Sequence, residues 1–130
     1  MDNIRVPVSP GEVLDKITIL EIKSERMSDS KKVANVQVEL ALLQDTWNEN
    51  IRDTREIQKL HSQLKEINEA LWEIEDDIRD KERAKEFDDR FIELARAVYV
   101  TNDKRSRVKK ELNLLLGSEI IEEKSYRDYE

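Results

Sequence analysis

No cysteine occurs among the 130 residues, which excludes disulfides, thiolate zinc sites and cysteine nucleophiles. The single histidine, His61, flanks the middle of an apolar stripe and has no second histidine to work with. It reads as a solvated side chain, and a His-based nucleophilic triad is excluded. Glycine and proline number two each, and Pro7, Pro10, Gly11 and Gly117 all sit near the ends. The long stretch between the two glycines holds no strong breaker, so helix is the economical reading. No signal peptide, lipidation motif or apolar run near the ~18 residues of a membrane span is present, which places the expected location in the cytoplasm. Nor is there a basic stripe. Thirty acids against 23 lysines and arginines give a net charge of −7, and such a surface attracts neither nucleic acid nor an anionic membrane.

What the chain does have is regular spacing. Ile57, Leu60, Leu64, Ile67, Leu71, Ile74 and Ile78 recur at alternating intervals of three and four, the a/d repeat of a long packed helix. The next two stripe positions are Lys81 and Lys85, so one end of the seam is built from charges. A 38% hydrophobic fraction is low but sufficient for a helical bundle, and the regular aliphatic spacing argues against disorder despite 41% charged residues.

Four helices follow. Pro7 keeps residues 1–9 extended; Ser9, Pro10 and Glu12 then form a capping box that starts a first helix, expected over Pro10 to Met27. Ser28 or Ser30 is the expected cap of a second helix carrying Val33, Val36, Leu40, Leu43, Trp47 and Ile51. Asp53 or Thr54 opens the third, which runs to about Glu86. The fourth starts near Asp88, carries Phe91, Leu94, Val98, Val108, Leu112 and Leu115, and ends at Gly117. Ser118 is expected to cap a short final turn through Ile120 and Ile121, and residues 124–130 read as a tail unless Tyr126 and Tyr129 dock. The fold class is therefore all-α, a single-domain four-helix antiparallel bundle with long amphipathic helices. Val13, Leu14, Ile17, Ile19, Leu20 and Ile22 cover most of the first helix's circumference, so it is either central or an oligomer interface; a homodimer or higher oligomer is expected.

The candidate chemistry lies at the polar end of the seam. Asn68, Trp72, Glu75, Arg79 and Glu82 share one face of the third helix, and Asp88, Ile92, Arg96, Tyr99 and Asp103 share one face of the fourth. Thr101, Asn102 and Arg105 interrupt the fourth helix's apolar stripe. Arg79, Arg96 and Arg105 are suited to bidentate recognition of phosphate or carboxylate, with Trp72, Tyr99 or Phe91 supplying a ring to stack on a base or sugar. The plainer reading makes Glu75, Arg79 and Glu82, and Arg96 with Asp103, intrahelical ion pairs on a solvated face. A second anion site is available at the amides around Ser9 and Gly11, where a helix N-terminus carries partial positive charge; simple capping is the plainer reading there too. Glu73, Asp76, Asp77, Glu82, Glu86 and Asp89 offer carboxylates for Mg²⁺, but 30 acids generate roughly seven acid-x-x-acid pairs by chance.

The stretch from Val6 to Lys23, VPVSPGEVLDKITILEIK, resembles the opening of a family of short bacterial and phage proteins that begin SPGE-x-LDK-x-TILEIK. The same family shows patterns like those at residues 71–76, 91–99, 102–105, 117–118 and 122–126, so the resemblance covers nearly the whole chain. It implies no activity. It does add Asp15, Lys16, Thr18, Arg96, Asn102, Asp103 and Lys124 to the candidate residues.

These readings converge on an expectation of non-enzymatic binding or sequestration of a small anionic ligand: a nucleotide, a cyclic nucleotide signal or a nucleotide sugar. The binding residues would be Ser9, Gly11, Lys16, Trp72, Arg79, Arg96, Tyr99, Asn102, Asp103 and Arg105. No catalytic residue, metal or cofactor is called for. A Mg²⁺-dependent nucleotide pyrophosphohydrolase and a structural coiled-coil adaptor are the alternatives.

Overall fold

In the computed structural model, which describes residues 1–129, four α-helices account for the ordered secondary structure: α1 (Pro10–Arg26), α2 (Ser30–Asn50), α3 (Arg55–Ala84) and α4 (Asp89–Leu115). Among the described residues there is no strand, in line with the expected all-α, four-helix class. Glu130, the last residue of the expected tail, lies outside the described residues.

The helix starts follow from their caps. Ser9 Oγ accepts the Glu12 amide at 3.2 Å, and Thr54 Oγ1 accepts the Ile57 amide at 3.2 Å. Asp88 Oδ1 accepts the Phe91 amide at 3.0 Å. The second helix departs from expectation: neither Ser28 nor Ser30 caps it. Asp29 does, accepting from Lys31 and Lys32 at 3.0 and 3.2 Å, because a carboxylate adds a negative charge at the positive end of the helix dipole. The third helix stops at Ala84, two residues early, where Lys85 adopts a left-handed φ of 56° and donates its amide to Glu82. Gly117 takes φ 64° beyond the end of α4, as a C′ glycine should. The expected turn after Ser118 does not form. Ser118 Oγ instead bonds both the amide and the carbonyl of Ile120, which satisfies the backbone locally without a helical turn.

Short connections make α1–α2 and α3–α4 two antiparallel hairpins. The first helix is central. It packs against each of the others, and Leu14, Ile17, Leu20 and Ile22 are buried on several sides of it. Its path is diagonal: Gly11, Glu12 and Asp15 lie against Asn113, Lys109 and Arg105 of α4, whereas Glu21, Glu25 and Arg26 lie against His61, Lys65 and Glu69 of α3. Leu14, Ile57, Leu60, Leu64 and Leu112 form the main core, with Trp47, Ile51, Val108 and Leu116 packed around it.

At 1.5 Å per residue, 17-residue α1 is about 26 Å long and 30-residue α3 about 45 Å. The α3–α4 hairpin therefore outruns the helix that covers it, and Ile67, Ile74 and Ile78 of the seam stay half-buried. Backbone to backbone, α2 approaches α1 alone. Among the described residues no helix is long and apolar enough to cross a membrane.

Candidate functional site

Among the described residues six polar ones are buried, Ser9, Asp15, Thr18, Asn68, Lys109 and Asn113; contacts to Asp15 join Thr18, Asn68 and Lys109 into one knot beneath α1, and Ser9 and Asn113 bond the backbone of its first turn. Asn68 of α3 donates from Nδ2 to both Asp15 Oδ1 and Thr18 Oγ1, each at 2.9 Å. The Thr18 hydroxyl donates in turn to the Asp15 carbonyl at 2.8 Å. From α4, Lys109 Nζ reaches Glu12 at 2.8 Å, Glu122 at 3.2 Å and the Asp15 carboxylate at 3.9 Å. Asn113 Oδ1 accepts the Gly11 amide at 2.7 Å. No buried side-chain nitrogen or oxygen among the described residues lacks a partner, so the knot is closed.

Glycine at position 11 is a condition of this closeness. A Cβ there would stand 2.6 Å from the Lys109 carbonyl oxygen and 2.9 Å from Asn113 Oδ1, distances that real Cβ atoms do not show. Burial pulls the Lys109 pKa down. The hydrogen bond to Glu12, the charges of Asp15 and Glu12, and the bond to Glu122 outweigh it, and the net shift is upward from 10.5. Glu122 is held below 4.5 by its hydrogen bonds to Lys124 and Lys109.

Glu122 belongs to a segment that turns back along α4. Glu123 pairs with Lys110 at 3.4 Å, and further on the Tyr129 ring meets Tyr99 edge-on with centroids 5.1 Å apart. The expected free tail docks through Tyr129, whereas Tyr126 stays 80% exposed, with the Lys124 ammonium 5.9 Å from its ring centre.

The expected binding residues fall into separate places. At the start of α1, Ser9 and Gly11 are buried, and their groups serve the Glu12 amide and the Asn113 side chain; the amides expected to be open to an anion are covered by a protein oxygen. Lys16 is exposed on the other side of α1, paired with Glu39 of α2 at 2.9 Å. Arg79, with 70% of its side chain exposed, pairs with Glu75 at 2.6 Å, the plain intrahelical ion pair.

Arg96 and Arg105 cannot serve one pocket within the chain. Nine residues separate them, about two and a half turns, so they leave α4 on opposite sides. Arg96 is exposed, on the side of α4 that also carries Tyr99 and, a turn later, Asp103. Arg105 turns inward, its Nε 3.8 Å from Asp15 Oδ1. Asn102 lies one turn before Arg105, and Trp72 one turn after Asn68; both are half-buried and extend from the knot toward the hairpin turn.

At the charged end of the seam, Lys81 reaches Asp88 at 2.8 Å and Glu86 at 2.9 Å, tying the end of α3 to the cap of α4. The arrangement locks the hairpin turn. Beside it is an open depression of about 380 Å³ lined by Asp77, Asp80, Lys81, Ala84, Glu86, Arg90 and Leu94. The carboxylates proposed for Mg²⁺ do not converge: among the described residues no group of three or more histidine, aspartate or glutamate side chains is placed to hold a metal ion.

Sequence reasoning missed Lys109, Asn113 and Glu12 as members of a site. Two signals were present: a glycine inside the first turn of a helix, which marks a close approach, and polar residues directly beside Val108 and Leu112 in the α4 stripe. His61, read as solvated, bonds Glu21 through Nε2 at 2.7 Å and helps hold α1 on α3.

Fold and site together define a small all-helical protein whose first helix is pinned across a helical hairpin by a buried polar knot. The chain belongs to the family of unknown function DUF6165, whose profile matches residues 4–129. Neither a curated protein nor a solved structure shows significant similarity to it.

Proposed function

We propose that this protein binds a small anionic ligand of nucleotide type without transforming it, on the α3–α4 face just beyond the buried knot. The observation that carries the reading is Arg105. Its Nε lies 3.8 Å from the buried Asp15 carboxylate, an ion-pair distance longer than a hydrogen bond, and its terminal nitrogens have no ion-pair partner among the described residues. A guanidinium drawn inward by that charge keeps its terminal N–H groups available to a phosphate or carboxylate. Asn102 supplies an amide on the same side of α4, Trp72 an indole ring on α3, and Arg79 lies two turns further along that α3 face as a rim cation. The carboxylates near this set, Asp15 and Glu75, are each paired with an arginine and are not grouped to hold a metal, which suits holding an anion rather than hydrolysing it through one.

Calorimetry against mono-, di- and cyclic nucleotides and nucleotide sugars is the test. Binding should persist in EDTA, and the recovered ligand should be chemically unchanged. Arg105→Ala should weaken affinity tenfold or more, about 1.5–3 kcal/mol for a charge-assisted contact, while Arg96→Ala should leave it unaltered. Failure to bind any member of the panel overturns the reading and leaves a helical adaptor. Turnover that requires Mg²⁺ gives the case to the pyrophosphohydrolase.

A further inference from the structure

The second helix has an inner apolar stripe and an outer stripe with an apolar centre, and backbone to backbone it approaches α1 alone. Its inner stripe, Val33, Val36, Leu40, Leu43 and Trp47, is half to fully buried. Lys31, Ala34, Val38, Leu42, Asp45 and Glu49 recur at intervals of three and four on the opposite side, and every one of them is exposed. Val38 is 63% and Leu42 49% exposed, large side chains at the centre of the stripe with nothing over them. At the ends, the Lys31, Asp45 and Glu49 side chains make no ion pair among the described residues, whereas Glu39, on the flank of the same helix, pairs with Lys16 of α1 at 2.9 Å.

We infer that this outer stripe of α2 is a self-complementary interface, and that its occupant is α2 of a second copy of this chain, running antiparallel. The argument is charge order. The stripe reads basic, small, apolar, apolar, acidic, acidic from its N-terminal end, so it is the electrostatic reverse of itself when turned end for end. In a twofold register with Val38 against the partner's Leu42, position 31 faces position 49, and Lys31 meets the partner's Glu49 at each end of the contact. Four central aliphatic side chains are covered between the two pairs. A parallel register would set Lys31 against Lys31 and Glu49 against Glu49, like charges that repel. Covering by a twofold mate uses the same patch on both subunits, which is the commonest symmetry of soluble oligomers. The face is also open to approach, because α2 lies at the periphery and the rest of the protein stands on the far side of α1. The interface is independent of the ligand face proposed on α3 and α4.

Sedimentation equilibrium at ~100 µM chain, two orders of magnitude above a micromolar dissociation constant, should give twice the 15.4 kDa chain mass. Val38→Asp should return the mass to that of one chain. The decisive variants are charge reversals. Lys31→Glu alone sets glutamate against the partner's Glu49 and should weaken association at least tenfold; Glu49→Lys alone should do the same. The double reversal Lys31→Glu with Glu49→Lys rebuilds the pair with opposite sense and should recover the parental association. Circular dichroism identical across the set keeps the comparison to folded chains, and recovery in the double variant excludes a loss of fold as the cause. A single-chain mass at this concentration, or a double reversal as weak as the single ones, overturns the proposal and leaves the stripe to a different partner.

Discussion

The backbone amide of Gly11 donates to Oδ1 of Asn113 at 2.7 Å, a buried bond that joins the first turn of α1 to the last turns of α4 across 102 positions of sequence. Its geometry requires that residue 11 carry no side chain. Gly11→Ala would drive a Cβ to 2.6 Å from the Lys109 carbonyl, and the backbone, unlike a flexible side chain, cannot swing away. Thermal unfolding should show a loss of about 1–3 kcal/mol, typical of overpacking a tight site. Asn113→Ala tests the other partner. It leaves the Gly11 amide buried without an acceptor and should cost about 1–3 kcal/mol by the same measurement.

Asp15→Ala removes the centre of the knot. Asn68 loses an acceptor, Lys109 loses a nearby carboxylate, and Arg105 loses the group behind it. Breaking a buried ionic arrangement by removing one partner costs about 3–5 kcal/mol, and chemical denaturation should find a deficit of that order. Under the proposed binding role, affinity for an anionic ligand should fall as well, because Arg105 then loses the charge that draws it inward. Thr18→Val, which removes one hydroxyl of the same knot, should cost less than Asp15→Ala; a ranking in the other order would move the centre of the knot away from the carboxylate.

Leu64 is fully buried in the core cluster. Leu64→Ala should destabilise by about 2–5 kcal/mol, the range for large-to-small changes that leave a cavity. Arg83→Ala breaks only an exposed pair with Asp80 and should change stability by less than about 1 kcal/mol. A small effect at Leu64 would mean that the α3 stripe is not packed.

Two groups of opposite sign set the pH response of the C-terminal segment. Glu122 has its folded pKa lowered from 4.5, so the stability it contributes is present above 4.5 and is lost as pH falls through the depressed value. Lys109 has its folded pKa raised from 10.5, so its contribution is full below 10.5 and is lost as pH rises through the raised value. Amide protection at residues 122–129, taken relative to the intrinsic exchange rate at each pH, should therefore be greatest between these limits and fall below pH 4.5. Glu122→Gln should flatten the acid limb, since no carboxylate remains to protonate at that position.

Helix number, helix type and most caps were legible before any coordinates, for physical reasons that are local. Ser9 followed by Pro10 and Glu12, Thr54 before Arg55, Asp88 before Asp89 and Gly117 after Leu116 each act within one turn of chain, and the seam from Ile57 to Leu71 needs only a 3.6-residue period. The site was less legible. The run of charges at Lys81 reads from spacing as a place for a ligand; in three dimensions its nearest oxygens belong to Glu86 and Asp88, and it closes a turn. Arg79 and Arg96 look like inward cations because each shares a helix face with an aromatic residue, yet face sharing fixes only direction about one axis. It does not say which direction the neighbouring helix occupies.

That second fact is what tertiary structure supplied. The sequence determined that the first helix is apolar on nearly every side and must be covered on more than one of them. It could not determine what lies against Asp15, Thr18 and Gly11, because their partners Asn68, Lys109 and Asn113 are dozens to about a hundred positions away, and pattern within one helix carries no information about long-range pairing. The diagonal path of α1 across the α3–α4 hairpin decided it. Steric closeness at Gly11 and the need to satisfy every buried polar atom then turned residues that read as ligand-binding at the helix start into the bonds that hold it in place, and left Arg105, half-anchored, as the inward cation beside Asp15.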